Sequence, residues 1–117
     1  MGGVRILLVD DEEPLVELLT RYLERLGYQV DSCLTAADAL ARFEADPSVY
    51  ALVLTDLTLP GMKGDEMLSR MRAVAPKLRA IVASGYPYEP TAKRTRSLQK
   101  PFLPKMLAEL IEELLKT

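Results

Sequence analysis

The fold of this 117-residue chain is decided by Leu52-Val-Leu-Thr-Asp-Leu-Thr-Leu-Pro-Gly-Met62. The stretch opens with a short apolar run and then meets Pro60 and Gly61, which is typical of a buried central strand that ends in a turn. This strand carries Asp56 to its C-terminal end. In open α/β sheets, ligands bind beyond the carboxyl ends of the strands. Asp56 is therefore the first candidate for a functional residue.

A second apolar run, Val4-Arg-Ile-Leu-Leu-Val9, predicts another strand, and it ends in Asp10 and Asp11. Because the carboxyl ends of parallel strands meet at one edge of a sheet, we expect these carboxylates to lie near Asp56. Three converging carboxylates repel one another unless a cation joins them. Oxygen-only ligands suit a hard cation such as Mg²⁺, with Mn²⁺ as an alternative. The sequence therefore predicts a divalent cation site at this edge of the sheet.

Length and composition limit the classes of protein that this chain can be. Its length predicts one domain, and its 49% hydrophobic content predicts a globular core. The net charge of −2 gives no attraction to nucleic acid or to a membrane surface. No apolar stretch approaches the roughly 20 residues of a membrane span, and no signal peptide precedes the first strand. We therefore expect a cytoplasmic protein.

Two residue types carry further information. Histidine is absent, so the chain cannot itself be a histidine kinase or a histidine phosphotransfer module. The lone Cys33 cannot form an internal disulfide, and its apolar surroundings predict a small buried side chain rather than a redox group.

The spacing of apolar residues predicts helices that alternate with the strands, as in a parallel sheet with crossover helices. The first begins near Pro14 and ends at Gly27, the second follows the capping sequence Thr35–Asp38, the third follows Gly64, and the last begins near Leu103. The side chains predicted to face the core are Leu15, Leu18, Leu19, Tyr22, Leu23 and Leu26 in the first helix, Met67, Leu68, Met71 and Val74 in the third, and Met106, Leu107, Leu110, Ile111, Leu114 and Leu115 in the last.

The segment Gly85–Arg96 departs from this regular pattern. Its prolines, Pro87 and Pro90, leave room for only a turn or two of helix. We therefore predict either a vestigial helix or a loop between the fourth and fifth strands. The basic residues of the segment are predicted to form a solvated surface in preference to a partner contact.

These features together resemble the receiver domain of two-component response regulators. The matching segments run in the family's order along the whole chain: residues 6–14, 52–62, 81–86 and 98–102. The last two are most similar to receivers attached to hybrid histidine kinases. The resemblance implies an α/β fold with a doubly wound, five-stranded parallel sheet of flavodoxin-like order 2-1-3-4-5. We expect a single receiver domain over residues 1–117, with a shortened helix four.

The resemblance implies a phosphoacceptor function. Asp56 would take a phosphoryl group from a histidine kinase or a histidine phosphotransfer protein in a Mg²⁺-dependent reaction. Lys100 would face the phosphoryl oxygens, and Ser84 would donate its hydroxyl to one of them. The Lys100-Pro101 peptide bond is expected to be cis. Such a domain phosphorylates itself and is not an enzyme that turns over an external substrate.

The resemblance also implies the metal ligands. The side chains of Asp10, Asp11 and Asp56 would hold the cation, and the backbone carbonyl of Thr58 would supply a further oxygen. Because a carbonyl is the ligand at the last position, the Thr58 side chain takes no part.

Three alternatives remain open at this point. A phosphatase of the haloacid dehalogenase type needs an acid two residues after its nucleophile, and here that position is Thr58. A flavodoxin-like cofactor carrier cradles phosphate in its first loop, but the loop that begins at Asp10 is acidic and repels phosphate. The third alternative is a receiver-like interaction module with altered or no phosphorylation-dependent output. The presence of all the expected site residues argues against it.

Two departures from the family pattern concern signalling. Receivers usually carry an aromatic residue three positions before the strand-five lysine, and this chain has Ser97 there, so the usual aromatic switch is unavailable. The residues expected to flank the path of a hydrolysing water are Thr58 and Tyr86, and neither can orient a water as a carboxamide or carboxylate would. We therefore expect a persistent phosphorylated state, with the Tyr86 ring covering the phosphoryl group if it points inward.

Overall fold

A five-stranded parallel sheet organises the computed structural model, which describes residues 3–117. The strands follow the order β2-β1-β3-β4-β5, so the predicted doubly wound order is confirmed. They span Arg5–Val9 (β1), Gln29–Cys33 (β2), Leu52–Asp56 (β3), Arg79–Ser84 (β4) and Thr95–Gln99 (β5).

Within the described residues, four α-helices pack against the sheet: Glu13–Arg25 (α1), Ala36–Ala45 (α2), Gly64–Val74 (α3) and Pro104–Leu115 (α4). Thr35 caps α2, because its hydroxyl oxygen accepts a hydrogen bond from the Asp38 N–H at 3.1 Å. Between residues 3 and 117, none of the helices combines the length and the apolar character that crossing a bilayer requires.

The core forms two layers because successive side chains of a strand point to opposite faces of the sheet. In β1, Ile6 and Leu8 pack on the face covered by α1 and α4, whereas Leu7 and Val9 pack on the face covered by α2 and α3. All five residues of β3 are buried. A strand buried on both faces reads as a continuous apolar run, which explains why this strand was easy to recognise.

The expected shortened helix four is wrong: residues 85–94 contain no helix and form a loop, here called the β4–β5 connection. The two prolines leave too few consecutive N–H donors for a stable helix, so the loop alternative holds. Most of the connection is exposed, but Tyr88 packs partly against the core. Arg94 closes it with a positive φ of 56° and accepts a hydrogen bond from Ala80 N–H at 2.9 Å, which starts the pairing of β4 with β5.

The Arg72 side chain of α3 connects the start of β4 to the start of β5. Its guanidinium donates hydrogen bonds to the Leu78 carbonyl at 2.9 Å and to the Thr95 hydroxyl at 2.7 Å. Burial lowers the pKa of this guanidinium. A side chain of α3 therefore bonds to the loop before β4 and to the first residue of β5.

Some predicted core positions are wrong. Leu18 and Leu26 of the first helical pattern are about half exposed, whereas Val16, which was not predicted to face the core, is buried. Val74 and Met106 are also exposed. The physical reason is that the helices of an α/β fold bury only a stripe of residues, so apolar residues beside that stripe remain at the surface. The prediction that Cys33 is buried is confirmed.

Candidate functional site

The strand ends bring the predicted acids and the predicted lysine together. Lys100 Nζ lies 2.9 Å from Asp10 Oδ2 and 3.5 Å from Asp56 Oδ1. Asp10 and Asp56 follow or end neighbouring strands, β1 and β3, and both side chains are buried. The Lys100-Pro101 peptide bond is cis, as expected. A partly buried ammonium thus faces two buried carboxylates at the C-terminal edge of the sheet.

Asp11 completes an acidic cluster, although its own side chain is exposed. Carboxylate oxygens from Asp10, Asp11 and Asp56 all lie within 4.8 Å of one another. Three oxygen ligands at this spacing, two of them buried, can be bridged by one small hard cation, so the residues present fit Mg²⁺ or Mn²⁺. Thr58 is exposed and lies two residues beyond the end of β3.

Burial makes the charges of this acidic cluster interdependent. Burial raises the pKa of the Asp56 carboxyl; the Lys100 ammonium opposes this rise, and the Asp10 carboxylate adds to it. For Lys100, burial lowers the pKa, but hydrogen bonds to Asp10 and Glu12 outweigh burial and the net pKa is raised. Positive charge beside Asp56 therefore favours its ionised form, which is the nucleophilic one.

Ser84 sits at the end of β4 and is almost fully buried. Its hydroxyl oxygen accepts a hydrogen bond from the Tyr86 N–H at 3.1 Å, and its carbonyl accepts one from the Lys100 N–H at 2.7 Å. The residue preceding it, Ala83, is aligned with Asp56 in the register of β3 and β4. The main chain therefore links Ser84 to Lys100 at the same edge of the sheet that carries Asp56.

Gly64 at the start of α3 packs closely against the main chain of Asp56, and the sequence alone assigned Gly64 no functional role. A Cβ at this position would lie 2.2 Å from the Asp56 carbonyl oxygen and 3.1 Å from the Thr55 hydroxyl oxygen. The Gly64 N–H donates to the Leu57 carbonyl at 2.7 Å. Only glycine permits this approach of α3 to the end of β3. The signal in the sequence was a glycine at a helix start, where other residues are equally common.

Glu12, the residue directly after Asp11, also contacts the lysine of this site. Its carboxylate accepts a hydrogen bond from Lys100 Nζ at 3.0 Å, while its side chain stays 61% exposed. The residues are separated by 88 positions in the chain. The only signal in the sequence was the position of Glu12 directly after the acidic pair.

The surface beside Ser84 differs from the acidic cluster. Tyr86 and Ser97 are both exposed, and together with Ser84 and Pro87 they border a cavity of about 220 Å³. Half of the Tyr86 side chain is accessible to solvent. Ser97 stands where receivers usually carry the aromatic switch, and its small hydroxyl side chain borders this open cavity.

The fold, the acidic cluster and the facing lysine together indicate the protein family to which this chain is similar. The family model described as "Response regulator receiver domain" matches residues 6–112. The chain belongs to the response regulator receiver family. Its five-stranded receiver fold and its predicted resemblance are thus confirmed.

Two relatives of this receiver domain differ greatly in length. The response regulator receiver protein CpdR of Brucella abortus is 31% identical over 95% of this chain and 96% of that protein. The sensor kinase CckA of the same organism is 30% identical over 98% of this chain, which spans only 13% of the kinase. Similar receivers thus occur both as short proteins and as parts of much longer ones.

Solved structures agree with the fold. The receiver domain from the hybrid histidine kinase CckA has a TM-score of 0.86 and 29% identity, covering 95% of this chain and 98% of that one. The response regulator TrrA of Thermotoga maritima, solved in complex with Mg²⁺-BeF, has a TM-score of 0.83 and 29% identity. It covers 95% of this chain and 98% of that one. The expected similarity to a receiver of a hybrid kinase is confirmed.

Proposed function

We propose that this receiver domain accepts a phosphoryl group on Asp56 from a histidine kinase or a histidine phosphotransfer protein. The observation that carries the proposal is the position of Asp56, a buried carboxylate 3.5 Å from the Lys100 ammonium and within the acidic cluster. In a receiver fold, a nucleophile at the carboxyl end of the central strand faces the place where ligands bind.

The transfer step is a displacement at phosphorus. One Asp56 carboxylate oxygen forms a bond to phosphorus while the bond from phosphorus to the donor imidazole nitrogen breaks. The electron pair of that bond stays on the nitrogen, and Asp56 becomes an acyl phosphate. The step requires an ionised carboxylate and shielding of the phosphoryl charge. Lys100 favours ionisation of Asp56 and is close enough to move onto a phosphoryl oxygen.

Ser84 stabilises the product in this proposal. Among residues 3–117 its hydroxyl only accepts a hydrogen bond, from the Tyr86 N–H, so the hydroxyl hydrogen can be donated to a phosphoryl oxygen. Donation to a phosphoryl oxygen would draw the end of β4 toward Asp56. The main-chain bond from Lys100 N–H to the Ser84 carbonyl would carry that movement to the end of β5.

The cation of the reaction would be held by Asp10, Asp11 and Asp56, with the Thr58 main-chain carbonyl as a further ligand. Mg²⁺ or Mn²⁺ supplies positive charge against the phosphoryl oxygens when it is bound. The oxygen-only cluster supports this assignment, as does the Mg²⁺-BeF complex of the similar receiver TrrA.

The biological setting follows from the same proposal. Residues 1–117 act as a single receiver domain in a cytoplasmic phosphorelay, without turnover of an external substrate and without contact to nucleic acid or membrane. A receiver-like module with altered or no phosphorylation-dependent output is the second candidate. The loop at residues 85–94 and the open space at Ser97 favour altered output, because the elements that usually report phosphorylation differ there.

Intact-mass measurement tests the phosphoacceptor. The wild-type protein, incubated with acetyl phosphate and Mg²⁺, should gain one phosphoryl group, and chelation of the metal should prevent the gain. Asp56→Asn should remain unmodified, whereas Asp65→Asn, which alters an exposed acid in the first turn of α3, should behave as wild type. An unmodified wild-type protein, or an Asp56→Asn protein that is still modified, would overturn the assignment.

A further inference from the structure

One carboxylate around Lys100 is not needed as a metal ligand. The Lys100 ammonium is 2.9 Å from Asp10, 3.5 Å from Asp56 and 3.0 Å from the Glu12 carboxylate. Asp10 and Asp56 belong to the acidic cluster, but Glu12 does not. The question is what a third carboxylate does beside a lysine that already has two.

Hydrogen bonds fix the main chain of Glu12, although its side chain is mostly exposed to solvent. Glu12 is the residue directly before α1, and its carbonyl accepts a hydrogen bond from Val16 N–H at 3.0 Å. Its own N–H donates to Asp10 Oδ1 at 2.9 Å. Glu12 therefore contacts the same Asp10 carboxylate that Lys100 contacts, through the opposite oxygen.

Cation binding changes the balance around Lys100. A divalent cation held by Asp10 and Asp56 would engage the other two partners of Lys100, and its charge would repel the ammonium. A largely buried ammonium without a partner is costly. Among the partners of Lys100 in residues 3–117, Glu12 is the one outside the acidic cluster, and its side chain is 61% exposed.

We propose that Glu12 is a positioning residue for Lys100: it retains the ammonium at the mouth of the site when a divalent cation takes the carboxylates of Asp10 and Asp56. The inference rests on the proposed function, because it takes the acidic cluster as the cation site. By giving the displaced lysine a partner, Glu12 raises the affinity of the domain for the cation and keeps Lys100 within reach of the phosphoryl group.

A plain electrostatic role is the competing explanation. Glu12 adds a negative charge near the cation, and any nearby carboxylate would raise cation affinity in that way. Glu13 provides the matched comparison, since it is exposed, acidic and next in the chain. The two explanations differ in one respect: an effect that acts through Lys100 disappears when Lys100 is removed, and a direct effect persists.

Mn²⁺ binding measures the difference, with free Mn²⁺ followed by electron paramagnetic resonance. Glu12→Gln should weaken Mn²⁺ binding about three- to tenfold, within the range expected for coupled neighbours, and Glu13→Gln by less than about twofold. In the Lys100→Ala background, Glu12→Gln should have no further effect beyond that of Glu13→Gln.

The outcomes separate the two proposals. An effect of Glu12→Gln that persists in Lys100→Ala, or no effect in the wild-type background, overturns the positioning role while leaving the cation site intact. A wild-type protein that does not bind Mn²⁺ overturns the cation site and the positioning role together.

Discussion

The acidic cluster and the β4–β5 connection are built in different ways. The acidic cluster lies at the C-terminal edge of the sheet, whereas the connection runs from the C-terminal end of β4 to the N-terminal end of the parallel strand β5. The acidic cluster consists of carboxylates at strand ends, two of them buried. The facing Lys100 donates a hydrogen bond to Asp10 and lies 3.5 Å from Asp56. The connection is mostly exposed and has no helix. The carboxylates are therefore held by the ends of buried strands, whereas the connection is mostly exposed chain without a helix.

The difference shows that the two parts have separate structural requirements. The acidic cluster and the facing Lys100 depend on the ends of β1, β3 and β5, which are fixed by burial and by the register of the sheet. The connection needs only to return the chain from β4 to β5. It does so through the left-handed Arg94 and the anchoring hydrogen bonds of Arg72. Changes in one part can therefore be made without changing the other.

Removal of Asp11 tests whether the acidic cluster stands apart from the connection. Asp11→Ala removes an exposed ligand, so we expect Mg²⁺ affinity to fall by about tenfold or more while the fold is retained. Isothermal titration calorimetry measures the affinity, and circular dichroism checks the fold. Tyr88→Phe, a change in the connection, is the control and should bind Mg²⁺ as wild type does. Equal affinities for Asp11→Ala and wild type would remove Asp11 from the site.

Gly64, which contacts Asp56 of the acidic cluster, and Gly85, which lies in the β4–β5 connection, provide a second comparison. Gly64→Ala places a Cβ 2.2 Å from the Asp56 carbonyl oxygen and should destabilise the fold by about 1–3 kcal/mol. Gly85→Ala meets no heavy atom within 4 Å and should change stability by less than about 0.5 kcal/mol. Urea denaturation measures both. The close approach is unimportant if the two variants unfold at the same urea concentration.

Tyr86 lies where the two regions meet. Its main-chain N–H donates a hydrogen bond to the Ser84 hydroxyl oxygen, and its half-exposed ring borders the cavity beside the connection. If the ring shields phosphorylated Asp56 from water, Tyr86→Ala should speed loss of the phosphoryl group by a few-fold. Tyr86→Phe keeps the ring and should decay at the wild-type rate. Intact mass followed over time measures both rates, and an unchanged rate in Tyr86→Ala would remove the ring as a shield.

The smallest expected effect concerns the electrostatic cost of the acidic cluster. Burial raises the folded-state pKa of Asp56 above its ordinary value of 3.8. Its contribution to stability is therefore full below that pH and is lost as the pH rises through the folded-state pKa. In the presence of a chelator, Asp56→Asn should raise Tm by a few degrees at neutral pH. This gain should shrink on acidification.

Thermal melts across an acidic to neutral series measure this effect. Asp65→Asn, which changes an exposed acid, is expected to give no comparable gain. A gain for Asp56→Asn that grows on acidification would contradict the direction of the pKa shift.

Much of the fold and of the candidate site could be predicted because their signals are local. The run at β3 is apolar throughout because both faces of that strand are buried, and Pro60 and Gly61 mark its end. The acids at the ends of β1 and β3 could be paired because parallel strands share one edge. The prolines of the connection correctly raised the possibility of a loop, although they could not exclude a short helix.

The sequence by itself determined the alternation of strands and helices and the acids at the ends of β1 and β3, because apolar periodicity and turn residues act over a few positions. The lysine that faces these acids was expected from the resemblance to the receiver family. Only the tertiary structure decided which side of α1 is buried, with Val16 inside and Leu18 outside. It also decided that Glu12 meets Lys100 and that Gly64 touches the Asp56 main chain. The Glu12–Lys100 contact joins residues 88 positions apart, and the Gly64 contact joins the start of α3 to the end of β3. Both depend on how the elements pack and not on any local pattern.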